Sequence, residues 1–333
     1  MKLEIAEARA LLEALMRDLD HTPDEAGVIA DHLLDCELRG LGYAGIARAL
    51  AIGDYIRSRG LQRGPVTLLR ETPVSAHWDA QNTVGYLVAA QATDVAIAKA
   101  KALGVGVVGA SRTYYTGMFS YYLERVTAAG LVGLVMGSGV SVVAPHGGTE
   151  PRFCTNPIAF GFPAADVPVI WDIGTSNSTH AEVLLAQRLG RALPEGVGYD
   201  ADGRPTTDPF KVLPGGSITA WGGHRGSGLA LSIQLMSMMV GQINATSSAT
   251  DPYDCGFFLT VWDPALFGDA TDFRHRVSTY AAEIEATRPL DLAHPVRVPF
   301  ARSAAARAER LAAGWIEVSD AVVATARGIV GVA

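Results

Sequence analysis

The stretch from Gly147 to Ser176, reading GGTEPRFCTNPIAFGFPAADVPVIWDIGTS, constrains the fold more tightly than any other part of the chain. Its Gly-Gly pair lets the backbone come close to a ligand, because no Cβ stands in the way. Asn156 precedes Pro157 and is pushed out of the helical region, so a turn or extended corner is expected there. Two short apolar runs, Ile158 to Phe162 and Val167 to Trp171, then read as buried strands. The second delivers Asp172, Gly174, Thr175 and Ser176 to its end, where a carboxylate and two hydroxyls can meet a polar ligand. A plain hairpin with ordinary turn chemistry fits the same residues.

Around this stretch the periodicity changes twice. Leu11, Leu12, Leu15, Met16 and Leu19 recur at helical spacing and predict one amphipathic helix over residues 3–19. Thr22, Pro23 and Glu25 supply an N-cap, a proline at the first helical position and the acid of a capping box. That second helix runs to about Arg39 and ends at Gly40; a third runs from Gly45 to about Arg59, so residues 1–60 are expected to be helical. Strands follow at 66–69 and 74–78, then a helix over 84–103 and a strand over 105–110. A loop at 111–117, a helix at 118–129 and a strand at 131–136 lead into the opening stretch. Beyond it come a helix over 179–191, a loop-rich excursion over 193–214 and an apolar helix over 226–240. A polar stretch at 243–254, open to motion, precedes a strand at 257–262. From Asp272 the pattern is helical again, apart from a proline-containing crossing at 288–299.

The order helix, mixed α/β, helix predicts an α/β protein with a discontinuous helical domain, residues 1–70 and 272–333, around a central mixed domain, 71–271. No GxGxxG follows the first central strand, so a Rossmann arrangement has no support. With a net charge of −7, a nucleic-acid surface is not expected. Cys36, Cys154 and Cys255 are odd in number and widely spaced, which fits neither a disulfide framework nor a zinc site and makes a reducing cytoplasm the default. Met1-Lys2-Leu3-Glu4 leads straight into a charged amphipathic segment rather than a signal peptide, and the apolar run Leu229 to Val240 is too short to span a bilayer.

One loop offers a site from its residues alone. Gly222-Gly223-His224-Arg225-Gly226 opens a helix, so amide N–H groups and the helix dipole can receive phosphate, with Arg225 adding charge.

The run GGTEPRF-x-TNPIAF with the following D-x-x-TS closely resembles the malate/L-lactate dehydrogenase family with the non-Rossmann fold. The resemblance takes in Leu38-Arg39-Gly40, Ala129-Gly130-Leu131, DGRPTTDP at 202–209, GGHRGSGLAL at 222–231 and Arg297-Val298-Pro299. It implies a central cofactor domain inserted between packed terminal helices, NAD or NADP as cofactor, a small carboxylate-bearing substrate and a homodimer.

It also assigns roles. Arg48, at the end of a frame beginning Arg39-Gly40, is the candidate grip for the substrate carboxylate, since a guanidinium pairs with a carboxylate bidentately. Thr155 and His146 join it on the substrate side. Asp172, Gly174, Thr175, Ser176, His224, Arg225 and Gly226 fall on the cofactor side. Relatives carry a Ser-His pair where this chain has Tyr43-Ala44, a histidine where it has Tyr115, and in some cases an aspartate where it has Val140. A phenol, with a pKa of about 10, can donate a proton at neutral pH but is a poor base. Tyr115 is therefore the candidate acid, and Tyr43 an alternative. Relatives also read Val-Pro-Gly-Glu where this chain has Val298-Pro299-Phe300-Ala301. His21, His32, His275 and His294 are assigned to core or surface, while His180 can lie close to the site. The expectation is an oxidoreductase reducing a cyclic 2-imino acid or 2-oxo acid; the alternative is a diverged member repurposed for another reaction or for binding.

Overall fold

A computed structural model describes residues 1–60, 63–241 and 255–331. The polar stretch expected at 243–254 lies outside the described residues. The amino-terminal part comprises β1 (Lys2–Glu4), α1 (Ile5–Arg17), α2 (Pro23–Leu38) and α3 (Ile46–Arg59). The centre begins with β2 (Thr67–Glu71), β3 (Ser75–Asp79), α4 (Gly85–Leu103), β4 (Val105–Thr113), α5 (Phe119–Ala128) and β5 (Val132–Ser138). It continues through β6 (Val143–Ala144), β7 (Ile158–Phe162), β8 (Val169–Ile173), α6 (His180–Leu189), β9 (Gly198–Tyr199) and β10 (Pro205–Thr206). Next come α7 (Pro209–Val212), β11 (Ser217–Thr219), α8 (His224–Met239) and β12 (Cys255–Trp262). The carboxyl-terminal part holds α9 (Ala270–Glu285), α10 (Ala301–Ala313), β13 (Trp315–Glu317) and α11 (Asp320–Val330).

Helices from both ends of the chain share one core. Leu12 and Met16 of α1, Ile29 and Leu33 of α2, and Leu50 and Ile52 of α3 meet Val322, Val323 and Ala326 of α11. Each large side chain there is withdrawn from water, stabilising the fold by about 1.5–3 kcal/mol relative to exposure. The expected capping box at the start of α2 forms: Thr22 accepts from the Glu25 amide, and Glu25 accepts from the Thr22 amide. Two short strands break the expected all-helical ends. β1 pairs antiparallel with β13, setting Leu3 opposite Ile316, so a pairing over more than 300 residues decides what local periodicity reads as helix.

The central sheet has seven strands in the order β2-β3-β4-β12-β5-β7-β8, and only β3 and β4 run parallel. Helix α4 lies on it through Ala89, Ala92, Ala96 and Ala100, a stripe of small residues at helical spacing. The approach is close enough that a Cβ on Gly106 of β4 would fall 2.1 Å from the Ala96 carbonyl oxygen. The loop-rich excursion at 193–214, which its prolines suggest is ordered, also carries regular elements. It supplies β9, β10 and α7 to a small sheet, ordered β10-β9-β11-β6, around Val143, Val183, Val197, Val212 and Ile218. No helix of the described residues is long and apolar enough to cross a membrane.

A charged knot joins the helical part to the central sheet. Arg39, at the end of α2, donates from Nε to Asp35 at 2.6 Å and from Nη2 to Glu124 of α5 at 2.6 Å. Arg307 of α10 donates to both carboxylates, at 3.0 Å to Asp35 and at 2.7–2.8 Å to Glu124. The Arg39 guanidinium also lies over the Phe300 ring, 4.6 Å from its centroid. Phe300 itself has φ +79°, a left-handed conformation that costs a phenylalanine about 1–3 kcal/mol.

Candidate active site

The Arg48 side of the site is built by its own motif. Glu37, buried near the end of α2, accepts from the Ile46 amide at 2.8 Å and so caps α3, whose N-cap Gly45 has no side chain to do so. A Cβ on Gly45 would sit 2.2 Å from the same carboxylate oxygen, so the glycine makes room for the cap. Burial pushes the Glu37 carboxyl up to about 7. One turn into α3, the Arg48 guanidinium lies over the ring of Tyr115, 4.4 Å from its centroid, and its Nη1 is buried with no hydrogen-bond partner. A buried cationic N–H without an acceptor is costly, and an anionic ligand relieves that cost.

Tyr115 is held in the left-handed region at φ +51°, and Tyr55 and Tyr114 pack beside its ring at 5.3 and 6.0 Å. Burial raises its phenol above the ordinary range, with Arg48 opposing. Tyr43 is raised further by burial and by nearby carboxylates, first Glu182. Both phenols are therefore firmly protonated donors at neutral pH. Ala44 and Val140 carry no titratable group, so the structure restores nothing at those positions.

Residues 175–180 lead from β8 into α6 and touch the residues just before α8. Thr175 donates from its amide to Thr155 O at 2.9 Å and from Oγ1 to Thr155 O at 3.0 Å, and accepts from the Trp221 amide at 2.9 Å. Ser176 bridges to Ala220, and its hydroxyl donates to Ser178 O. Thr179 then caps α6 in a capping box with Glu182, placing His180 at the first helical position. Burial, then the charge of Arg48, lowers the His180 imidazole to about 4. Helix α6 is tied to α3 by Arg188, which donates to Asp54 at 2.7 Å.

Asn156 takes φ +35°, a left-handed turn rather than an extended corner, because a buried network holds it. Its amide donates to Ala230 O at 2.7 Å and to Gln234 at 3.2 Å, and its oxygen accepts from Ser138 at 2.6 Å. Asp172 lies within β8 rather than past its end, and its carboxylate accepts from the Ser120 amide at 2.8 Å, at the start of α5. Burial raises it to about 6. Thr155 contributes mainly its backbone carbonyl; its hydroxyl stands 3.8 Å from the Cys154 sulfur.

At the other end, Gly222 and Gly223 both have φ near +60°, and α8 begins at His224 with no side-chain cap. A Cβ on Gly226 would fall 1.7 Å from the Trp221 carbonyl oxygen, so only glycine allows this tight entry. His224 and Arg225 are exposed, and among the described residues no carboxylate pairs with Arg225. A pocket of about 220 Å³ opens beside this loop, lined by His146, Gly147, Gly148, Tyr199, Thr219 and Ala220 among others. His146 belongs here: its ring stands 6.3 Å from that of His224, and its amide donates to Ser227. His32 has a structural task, its Nε2 accepting from the Met118 amide at 2.9 Å. His21 is buried, His275 is exposed, and His294 pairs with Asp291 at the surface.

Local sequence gave no sign of the Ser138–Asn156–Gln234 network or of Arg39's partners beyond its own helix, Glu124 and Phe300. The chain matches the malate/L-lactate dehydrogenase family over residues 3–326, and it belongs to that family. It is 31% identical to the L-sulfolactate dehydrogenase of Methanothermobacter thermautotrophicus over 294 residues, 86% of each chain. It is 32% identical to a Delta(1)-pyrroline-2-carboxylate/Delta(1)-piperideine-2-carboxylate reductase of Pseudomonas putida, over 71% of this chain and 70% of that one. The crystal structure of a dehydrogenase from Sinorhizobium meliloti superposes with a TM-score of 0.90 at 29% identity, covering 99% of this chain and 98% of that one.

Proposed function

We propose that this chain is an NAD(P)H-dependent oxidoreductase that reduces a small cyclic 2-imino acid or 2-oxo acid. The observation that carries the proposal is Arg48, whose Nη1 is buried without a hydrogen-bond partner and whose guanidinium lies over the Tyr115 ring. Similarity to a reductase of cyclic imino acids and to a dehydrogenase of a small hydroxy acid supports the same substrate chemistry. The helix start at Gly222–Gly226 suits a dinucleotide phosphate: its amides are uncapped, its glycines admit close approach, and Arg225 is free to pair. Gly174, Thr175 and Ser176 hold that loop against β8, and Asp172 fixes the strand through α5. The dinucleotide supplies a hydride. Arg48 grips the carboxylate, and Tyr115 and Tyr43 donate hydrogen bonds toward the reacting group.

The absence of histidine at 44 and 115 favours the imino acid, because a protonated iminium already carries the proton that a ketone must obtain. The same absence favours, as a second reading, a diverged member with lost dehydrogenase activity. Assays of piperideine-2-carboxylate and of pyruvate with NADH and NADPH separate the two. Imine turnover exceeding keto-acid turnover by about 10²-fold or more supports the first reading. Dinucleotide binding without turnover of either substrate supports the second. The protein would act in the reducing cytoplasm, where Cys36, Cys154 and Cys255 stay free thiols. Exposed Leu231, Leu235 and Met239 on α8, with Trp171 and Trp221 nearby in sequence to the site, suit a homodimer interface. Light scattering should return twice the 35.0 kDa of one chain.

A further inference from the structure

We infer that Tyr55 is a positioning residue for the substrate carboxylate: its ring holds Tyr115 against α3, and Tyr115 in turn holds the Arg48 guanidinium. The inference rests on the carboxylate reading of Arg48. Arg48 and Tyr55 stand seven residues apart in α3, about two turns along one face of the helix. The Tyr115 ring meets both. The Arg48 guanidinium lies over it, 4.4 Å from the centroid, and the Tyr55 ring packs beside it at 5.3 Å, tilted by 55°. Tyr55 also reaches the Tyr114 ring, at 5.4 Å, and so contacts both tyrosines of that turn.

Tyr55 holds the Tyr115 side chain rather than the turn itself, because the backbone on either side of Tyr115 has its own ties. The Asn82 amide donates to Arg112 O at 2.9 Å, the Thr113 hydroxyl to Thr83 O at 2.7 Å, and the Gly85 amide to Tyr114 O at 2.7 Å. Beyond Tyr115, the Tyr122 hydroxyl donates to Thr116 O at 2.7 Å. These bonds fix the left-handed φ of +51° at Tyr115 without help from Tyr55. Tyr114 is buried in the helical core, whereas Tyr55 is half-buried against it. A smaller residue at 55 therefore leaves turn and core standing and frees the Tyr115 ring to swing. The effect then passes to Arg48. A guanidinium stacked on a ring keeps its N–H edges for a carboxylate, in the plane where bidentate pairing occurs. Nη1, buried and without a partner, lies on such an edge. Without a fixed ring beneath it, the guanidinium must be ordered anew each time an anion binds, and affinity falls.

The test is a double-mutant cycle read by calorimetry. Oxamate, a non-reducible mimic of a 2-oxo acid, is titrated into the protein in the presence of NADPH and, separately, of NADH. Tyr55→Leu should weaken oxamate binding by about fivefold or more when Tyr115 is intact, and by less than about twofold in a Tyr115→Leu background. Tyr55→Phe keeps the ring, loses only the hydroxyl, and should bind oxamate within about twofold of wild type. Dinucleotide affinity and thermal midpoint of Tyr55→Leu should stay close to wild type, whereas a purely structural role would lower both along with oxamate binding. Equal weakening in both backgrounds, no weakening in either, or a Tyr55→Phe as weak as Tyr55→Leu overturns the inference. If Tyr115→Leu binds no oxamate, the contrast between Tyr55→Phe and Tyr55→Leu decides alone. If Tyr55→Leu does not fold, Tyr55→Met takes its place; if neither folds, the ring is structural and the inference is overturned. A wild-type protein that binds neither oxamate nor pyrrole-2-carboxylate removes instead the carboxylate reading beneath the inference, and the inference with it.

Discussion

Arg39 and Arg48 stand nine residues apart in one motif, and the fold gives them opposite tasks. Arg39 meets two carboxylates, Asp35 and Glu124, shares them with Arg307, and lies over Phe300. Arg48 meets no carboxylate among the described residues; it lies over Tyr115 and leaves Nη1 without an acceptor. Each has a buried Nη1 without a hydrogen-bond partner, yet among the described residues only Arg39 meets carboxylates. A balanced buried arginine joins elements, whereas an unbalanced one attracts an anion from outside.

The largest effect that sharpens this contrast is expected at Arg48. Arg48→Ala should lower kcat/KM by about 10³–10⁴-fold, because a charged anchor for the substrate carboxylate is lost. Its thermal midpoint should stay within a few degrees of wild type. A collapsed midpoint would break the contrast by making Arg48 structural.

Arg39→Ala should show the reverse. Removing one partner of a buried pair leaves Asp35 and Glu124 under-compensated and costs about 3–5 kcal/mol, read in urea unfolding. A stable variant with impaired substrate binding would mean the two arginines had been assigned the wrong way round.

Arg225 is a third case, exposed and, among the described residues, without a carboxylate partner at the start of α8. Arg225→Ala should weaken dinucleotide binding by tenfold or more, about 1.5–3 kcal/mol, with KM for the acid changed far less. Unchanged dinucleotide affinity by fluorescence titration would take Arg225 out of the cofactor site.

The smallest effect concerns Glu37, which precedes both arginines in sequence and caps the helix of one of them. Its folded pKa is raised, to about 7, so the folded state binds the extra proton between the ordinary carboxylate range and that value. The stability this contributes is present in acid and is lost as pH rises through about 7. Glu37→Gln keeps an oxygen for the Ile46 amide and removes the charge. It should therefore unfold less readily than wild type above pH 7, by about 1–2 kcal/mol, and lose that advantage near pH 5. Parallel stability curves from pH 5 to 9 would show that Glu37 does not titrate in this range.

Much of the architecture was set by local sequence. The capping box at Thr22–Glu25, the helix-ending Gly40 and the alanine stripe of α4 act within a few residues, so periodicity and cap chemistry read them directly. The Gly222–Gly226 helix start was legible for the same reason, since glycine freedom and an uncapped amino end are local properties. The pairing of β1 with β13, the small sheet that 193–214 joins and the left-handed turn at Asn156 were not, because each depends on partners brought from far along the chain. So did the meaning of the charges. Sequence alone presents Arg48, His146 and His180 as polar residues with a claim on the site, and Arg39 only as part of the frame before Arg48. Tertiary structure gave Arg39 the distant carboxylate of Glu124, placed His146 at the start of α8, and left the Arg48 Nη1 buried without an acceptor. Burial decides what a charge costs, and burial is a property of the whole fold.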